Sequence, residues 1–160
     1  ALGCAALSPS VRLQRPPMHM NPFAVPRMAR GLGYAGLAPF VLAAILAWVP
    51  GGHGESVARG LLLYTLAIVS FLGGAWWGIA LLKRQPAVLL ASNLLVIAVW
   101  AGAWLLDTSA ALLVGAGLLV VTLLVENWHP MFRPQPAYYR RLRFRLTAVA
   151  AISLVLVSLA

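Results

Sequence analysis

Glu126, Asn127 and His129 lie within four residues of one another, and Arg133 follows, in the stretch VENWHPMFRP. A carboxylate and an imidazole this close can pass a proton or anchor a polar ligand. Inside a bilayer such a carboxylate is a functional candidate by default. Depth decides between that role and a plainer one. Glu126 stands 19 residues after Asp107. That is about 28 Å of helix, close to the ~30 Å hydrocarbon thickness of a bilayer. The two acids then reach opposite interfaces. The spacing predicts that Glu126 is an interfacial acid paired with a loop arginine such as Arg133 or Arg141. Proton handling or ligand anchoring with His129 is the sharper alternative.

Other chemistry-bearing residues are few. Trp77 and Asn93 are polar groups within apolar runs, and together with Glu126 they define a candidate polar pocket. Such a pocket would suit a small-solute or lipid transporter or binding protein. His19, His53 and His129 are scattered, whereas zinc needs three or four gathered ligands. Met18-His19-Met20 offers soft ligands for Cu(I) in a single tripeptide. No metal and no cofactor is expected. Phosphate-binding glycine loops, nucleophile elbows and H-E-x-x-H pairs are missing from the chain. The expected function is therefore non-enzymatic.

The elements that must carry these residues follow from composition. Of 160 residues 62% are hydrophobic and only 9% charged, with twelve Lys and Arg against three acids. Soluble domains carry about 25% charged residues. A net charge of +9 would suit nucleic acid if the basic residues covered a soluble face. Here they fall between long apolar runs, so nucleic acid is set aside. Five runs approach the ~20 residues a spanning helix needs: about 32–49, 58–82, 87–106, 109–125 and 142–159. Open strands would leave unpaired edges in lipid, and the runs lack barrel alternation. The expected fold is an all-α, polytopic helical bundle of about five transmembrane helices over residues 31–160. Residues 1–30 read as a basic, Pro-rich disordered tail, or alternatively as an organelle transit segment.

Eleven of the twelve basic residues fall on one side of such a bundle. By the positive-inside rule the N-terminus is then cytoplasmic, or in the matrix, and the C-terminus outside. The organisation fits a bacterial inner membrane, with the mitochondrial inner membrane as the alternative.

Two further stretches carry a prediction. In SFLGGAWWG, the residues Ser70, Gly74 and Gly78 recur every fourth position. Small residues on one helix face let a second backbone approach. The spacing predicts a packing seam within the bundle, with homodimerisation as the alternative. In PAYYRRLRFRLT, Tyr138, Tyr139, Arg140, Arg141, Arg143 and Arg145 precede the last run and Arg133 lies upstream. Basic residues with aromatics suit anionic lipid headgroups. The same loop would also suit an acidic partner in a larger membrane complex.

LGYAGLAPF (32–40), SFLGGAWWG (70–78) and PAYYRRLRFRLT (136–147) are the stretches that carry a family resemblance. The chain resembles domain-of-unknown-function family 3429, the transmembrane protein 69-like small integral membrane proteins of bacteria and mitochondria. The likeness runs from about Gly31 to Ala160. It implies a membrane helical bundle and implies no activity. In that family the position of Trp76 often carries His or Arg.

Overall fold

A Pro, an acid and one left-handed residue mark where the long apolar runs break. The computed structural model describes residues 24–160 apart from Gly52. The expected tail over 1–23, with the Met18-His19-Met20 tripeptide, lies outside the described residues. The helices are α1 (Ala24–Leu46), α2 (Gly54–Lys83), α3 (Pro86–Leu105), α4 (Thr108–Trp128) and α5 (Ala137–Ser158), with a 3-10 turn at Pro130–Phe132. Arg84 ends α2 in the left-handed region at φ 53°, and Pro86 opens α3 at a position that needs no N–H. Asp107 caps α4, its Oδ2 accepting from the Ala110 N–H at 3.0 Å. Asp107 is thus spent on a helix end, as the two-residue break before α4 requires.

Two helix starts differ most from expectation. The last seven residues of the expected tail, 24–30, are helical and extend α1. The basic stretch from Tyr138 to Arg145 is the first two turns of α5 and not a loop. Hydropathy alone placed both ends late, because arginine lowers the apolar average without breaking a helix.

The chain is an all-helical membrane bundle. The four helices α1 to α4 are long and apolar enough to cross a membrane. The outer faces confirm the solvent they require: Leu63, Phe71, Ile97, Val121 and Ile152 are large, apolar and exposed. In water a surface so continuous would aggregate, whereas lipid hydrocarbon solvates it. α5 packs between α1 and α4, and α2 touches all four other helices. Val69, Leu112, Leu119 and Leu154 are fully buried where these helices meet.

Close approach among α2, α3 and α4 depends on three glycines. A Cβ on Gly115 would lie 2.8 Å from Thr65 Cγ2 of α2, and one on Gly102 would lie 3.3 Å from Val114. A Cβ on Gly73 would lie 2.8 Å from Val96 Cγ2 and 3.2 Å from the Ser92 carbonyl oxygen. Gly74 and Gly78 would meet nothing within 4 Å. The predicted seam of Ser70, Gly74 and Gly78 therefore does not pack within this bundle. The buried face of α2 is Leu61, Leu62, Thr65, Val69, Gly73, Trp76 and Ala80, one residue round the helix. From Leu62 onward these positions advance by three or four, which is the periodicity of a helix buried along one stripe.

Candidate functional site

Thr122 and Glu126 are one turn apart on α4, so their side chains share a face. Arg143 lies in the second turn of α5, which packs against that face. Arg143 Nε donates to Glu126 Oε2 at 2.8 Å, and Nη2 donates to Oε1 at 3.1 Å. This is a bidentate, charge-assisted pair, the geometry that suits a guanidinium best. Nη2 also reaches Thr122 Oγ1 at 3.4 Å. From α2, Trp76 Nε1 donates to Glu126 Oε1 at 3.0 Å. Glu126 is 7% exposed and Arg143 9%. Three helices thus place one acid, one base and two neutral partners in a protein-lined interior.

The turn after α4 roofs this cluster. His129 Nδ1 accepts from the Met131 N–H at 3.2 Å, and Pro130 needs no partner for its nitrogen. Met131 and Phe132 are turned inward and buried, with the Phe132 and Trp76 ring centroids 5.3 Å apart. Lys83 at the end of α2 donates to the Met131 carbonyl, and to the Arg133 carbonyl at 3.4 Å. Arg133 Nη2 donates to the Asn127 carbonyl at 3.2 Å. Lys83 and Arg133 are thus used on backbone carbonyls, including that of Asn127 at the end of α4.

The predicted residues come together only in part. Glu126 is not an interfacial acid held by Arg133 or Arg141. It is buried, and its partner is Arg143. Its place near the end of α4 is as predicted, but the turn and α5 cover it from the side. The pocket of Trp77, Asn93 and Glu126 does not form. Trp77 is 47% exposed, and exposed Asn93 returns its Nδ2 to the Leu89 carbonyl at 2.9 Å. The tryptophan that meets Glu126 is Trp76. His129 makes a local cap and an edge contact with Phe132 at 6.2 Å, and it donates nothing to Glu126. Among the described residues no three His, Cys, Asp or Glu gather as metal ligands do.

The basic stretch divides. Arg140, Arg141 and Arg145 are exposed, as is Arg133. Arg143 is withdrawn from the surface by Glu126. Tyr138 stacks under Arg30 of α1, with the guanidinium 5.6 Å from the ring centroid, and Tyr139 is at the surface edge. Sequence reasoning missed Trp76, Thr122 and Arg143 as a set. The usable signal was helical phase: 122 and 126 share a face of α4, and 69, 73, 76 and 80 share a face of α2.

The family described as "Protein of unknown function (DUF3429)" matches residues 25–159. Transmembrane protein 69 of Xenopus tropicalis is 45% identical over 62 residues, which is 39% of this chain and 24% of that protein. The match thus spans about a quarter of that relative's length. No solved structure matches. The cluster of Trp76, Thr122, Glu126 and Arg143 lies wholly inside the matched span, and the chain belongs to the DUF3429 family.

Proposed function

We propose that this protein is a non-catalytic membrane protein that works through contact with anionic lipid at one end of its bundle. The observation that carries this reading is the distribution of its cations. Arg30, Arg84, Arg133, Arg140, Arg141 and Arg145 are exposed and gather around the end that holds the Glu126–Arg143 pair. Each such cation near an anionic leaflet contributes about 1 kcal/mol. The one acid at that end is already consumed by Arg143 and Trp76, so it offers no free base. Both carboxylate oxygens of Glu126 accept hydrogen bonds, which suits a structural lock better than a proton carrier.

Anionic lipid gives the first test. In phosphatidylcholine nanodiscs doped with phosphatidylglycerol, the melting temperature should exceed that in pure phosphatidylcholine. The rise should be at least the ~2–4 °C that 1 kcal/mol produces in a domain of this size. Equal melting in the two lipids would remove the basis of this reading.

The same cations set orientation: the basic end faces the cytoplasm or matrix, and the C-terminus lies outside. α5 is the fifth span. Its packing against α4 and α1 supports this, because a helix buried between spanning helices shares their depth. Single cysteines at His53 and Gln135, with Cys4 replaced, should then label from opposite sides of sealed vesicles. Labelling of both from one side contradicts a five-span topology.

A further inference from the structure

Between α1, α2 and α5 lies a cavity of about 550 Å³, within the size range of pockets that hold small molecules. Its walls are apolar, with Leu37 from α1, Ile68 and Leu72 from α2, and Ala150 from α5. Phe40, packed edge-on to Tyr64 with centroids 5.3 Å apart, lines the end where α1 and α2 meet. Leu32 and Phe71 also line it and are exposed on the outer surface, so the cavity opens sideways. In a membrane bundle a sideways opening faces acyl chains.

The polar groups of this cavity are Tyr139, Arg143 and Thr147 of α5. Thr147 is 3% exposed, and its Oγ1 is buried with no hydrogen-bond partner. A helical threonine ordinarily returns its hydroxyl to the carbonyl one turn back, as Thr65 does to Leu61 at 2.8 Å. A buried hydroxyl without a partner is costly. An acceptor supplied from outside the chain would satisfy it. Arg143 points the same way: Nε and Nη2 serve Glu126 and Thr122, while Nη1 donates to nothing among the described residues. Two unused donors at one end of an apolar, laterally open cavity describe an amphiphile with oxygen acceptors at its head.

We propose that this cavity seats one acyl chain of an anionic phospholipid drawn from the surrounding bilayer. An ester oxygen of that lipid accepts from Thr147 Oγ1–H and a further head oxygen accepts from Arg143 Nη1–H. Its phosphate lies toward the basic end of the bundle, where Arg30 of α1 is exposed beside Tyr138. Thr147 is one turn deeper than Arg143, about 6 Å, and esters lie deeper than the phosphate of the same lipid. A water-soluble ligand would need polar walls, which this cavity lacks. The proposal rests on the lipid-contact reading above and names the site where one lipid is held.

The test uses the full chain in phosphatidylcholine vesicles with phosphatidylglycerol carrying a mid-chain diazirine. After photolysis, adducts are mapped by mass spectrometry. They should concentrate on residues 29–40 and 146–150 and be competed by unlabelled phosphatidylglycerol. Thr147→Val keeps the side-chain shape and removes the donor. It should weaken half-saturation of labelling about three- to tenfold, as expected for one hydrogen bond, while Thr147→Ser should restore it. Adducts spread equally over outer positions such as Ile97 and Val121, or labelling indifferent to Thr147→Val, would overturn the site. Melting is read on the same samples with and without phosphatidylglycerol. Loss of the site with anionic stabilisation intact sinks this inference alone, and loss of both sinks the lipid-contact reading too.

Discussion

Glu126→Gln is expected to destabilise the protein by about 3–5 kcal/mol, the cost of leaving one member of a buried ion pair unpaired. The substitution preserves shape, and the amide oxygen can still accept one hydrogen bond. What it removes is the charge that justifies Arg143 in a site only 9% exposed. Arg143 cannot escape by losing its proton, since a guanidinium stays charged. Arg143→Met should cost a similar amount, because it leaves the buried Glu126 charge with only the neutral Trp76 donor. The double variant should cost far less than the sum, since the two residues share one interaction and removing both charges leaves neither uncompensated. Thermal unfolding in mild detergent separates these cases. A loss for Glu126→Gln within the ~0–1 kcal/mol of an exposed pair would return Glu126 to the interface and dismantle the site. A substitution of Trp76 tests the third member: Trp76→Phe removes one donor and should cost about 1–3 kcal/mol.

The burial of Glu126 was the part of this site the sequence concealed, for a geometric reason. Counting residues along α4 places Glu126 near the helix end, where it stands two residues before Trp128. Exposure also depends on what lies beside a residue. Here Pro130–Phe132 folds back as a turn and buries Met131 and Phe132 against Trp76. Four residues after an acid, a Pro-Met-Phe run reads as an interfacial loop on hydropathy alone. Only the contact with α2, pinned through Lys83, makes it a roof. The choice of arginine was hidden similarly. Arg133 and Arg141 are nearer to Glu126 in sequence, yet Arg143 is the arginine that α5 turns inward to meet it.

The helices themselves were legible, because apolar runs bounded by Pro, Gly and charge leave few alternatives in lipid. Five helices are present in the expected order, four of them long and apolar enough to span a membrane, and the errors are at ends. α5 begins at Ala137, five residues before the apolar run, since its arginines fit a helix as well as leucine does. The faces were less legible. In a helix that is apolar all round, hydropathy carries little phase information. The spacing of small residues then dominates the reading, and α2 contains two overlapping series. Ser70, Gly74 and Gly78 form the more regular one, while Val69, Gly73 and Ala80 form the one that packs.

That difference gives the second large prediction. Gly73→Leu and Gly115→Leu should each cost about 3 kcal/mol or more, at or beyond the upper end for overpacking a close contact. At Gly73 the obstacle includes the Ser92 carbonyl at 3.2 Å, and backbone of a packed helix yields less readily than a side chain. At Gly115 the obstacle is Thr65 Cγ2 at 2.8 Å. The Thr65 side chain is held in place by its own bond to Leu61. Gly74→Leu and Gly78→Leu meet open space in this chain and should change stability by less than about 1 kcal/mol. Parallel melting curves of the four variants in one detergent rank them directly. Equal tolerance at all four would mean that α2 does not approach α3 and α4 as closely as these contacts require. Damage at Gly74 with tolerance at Gly73 would mean that the helix is rotated by one residue, or that a second copy occupies the open strip. Analytical ultracentrifugation of the wild type in the same detergent then separates rotation, which leaves a monomer, from pairing, which does not.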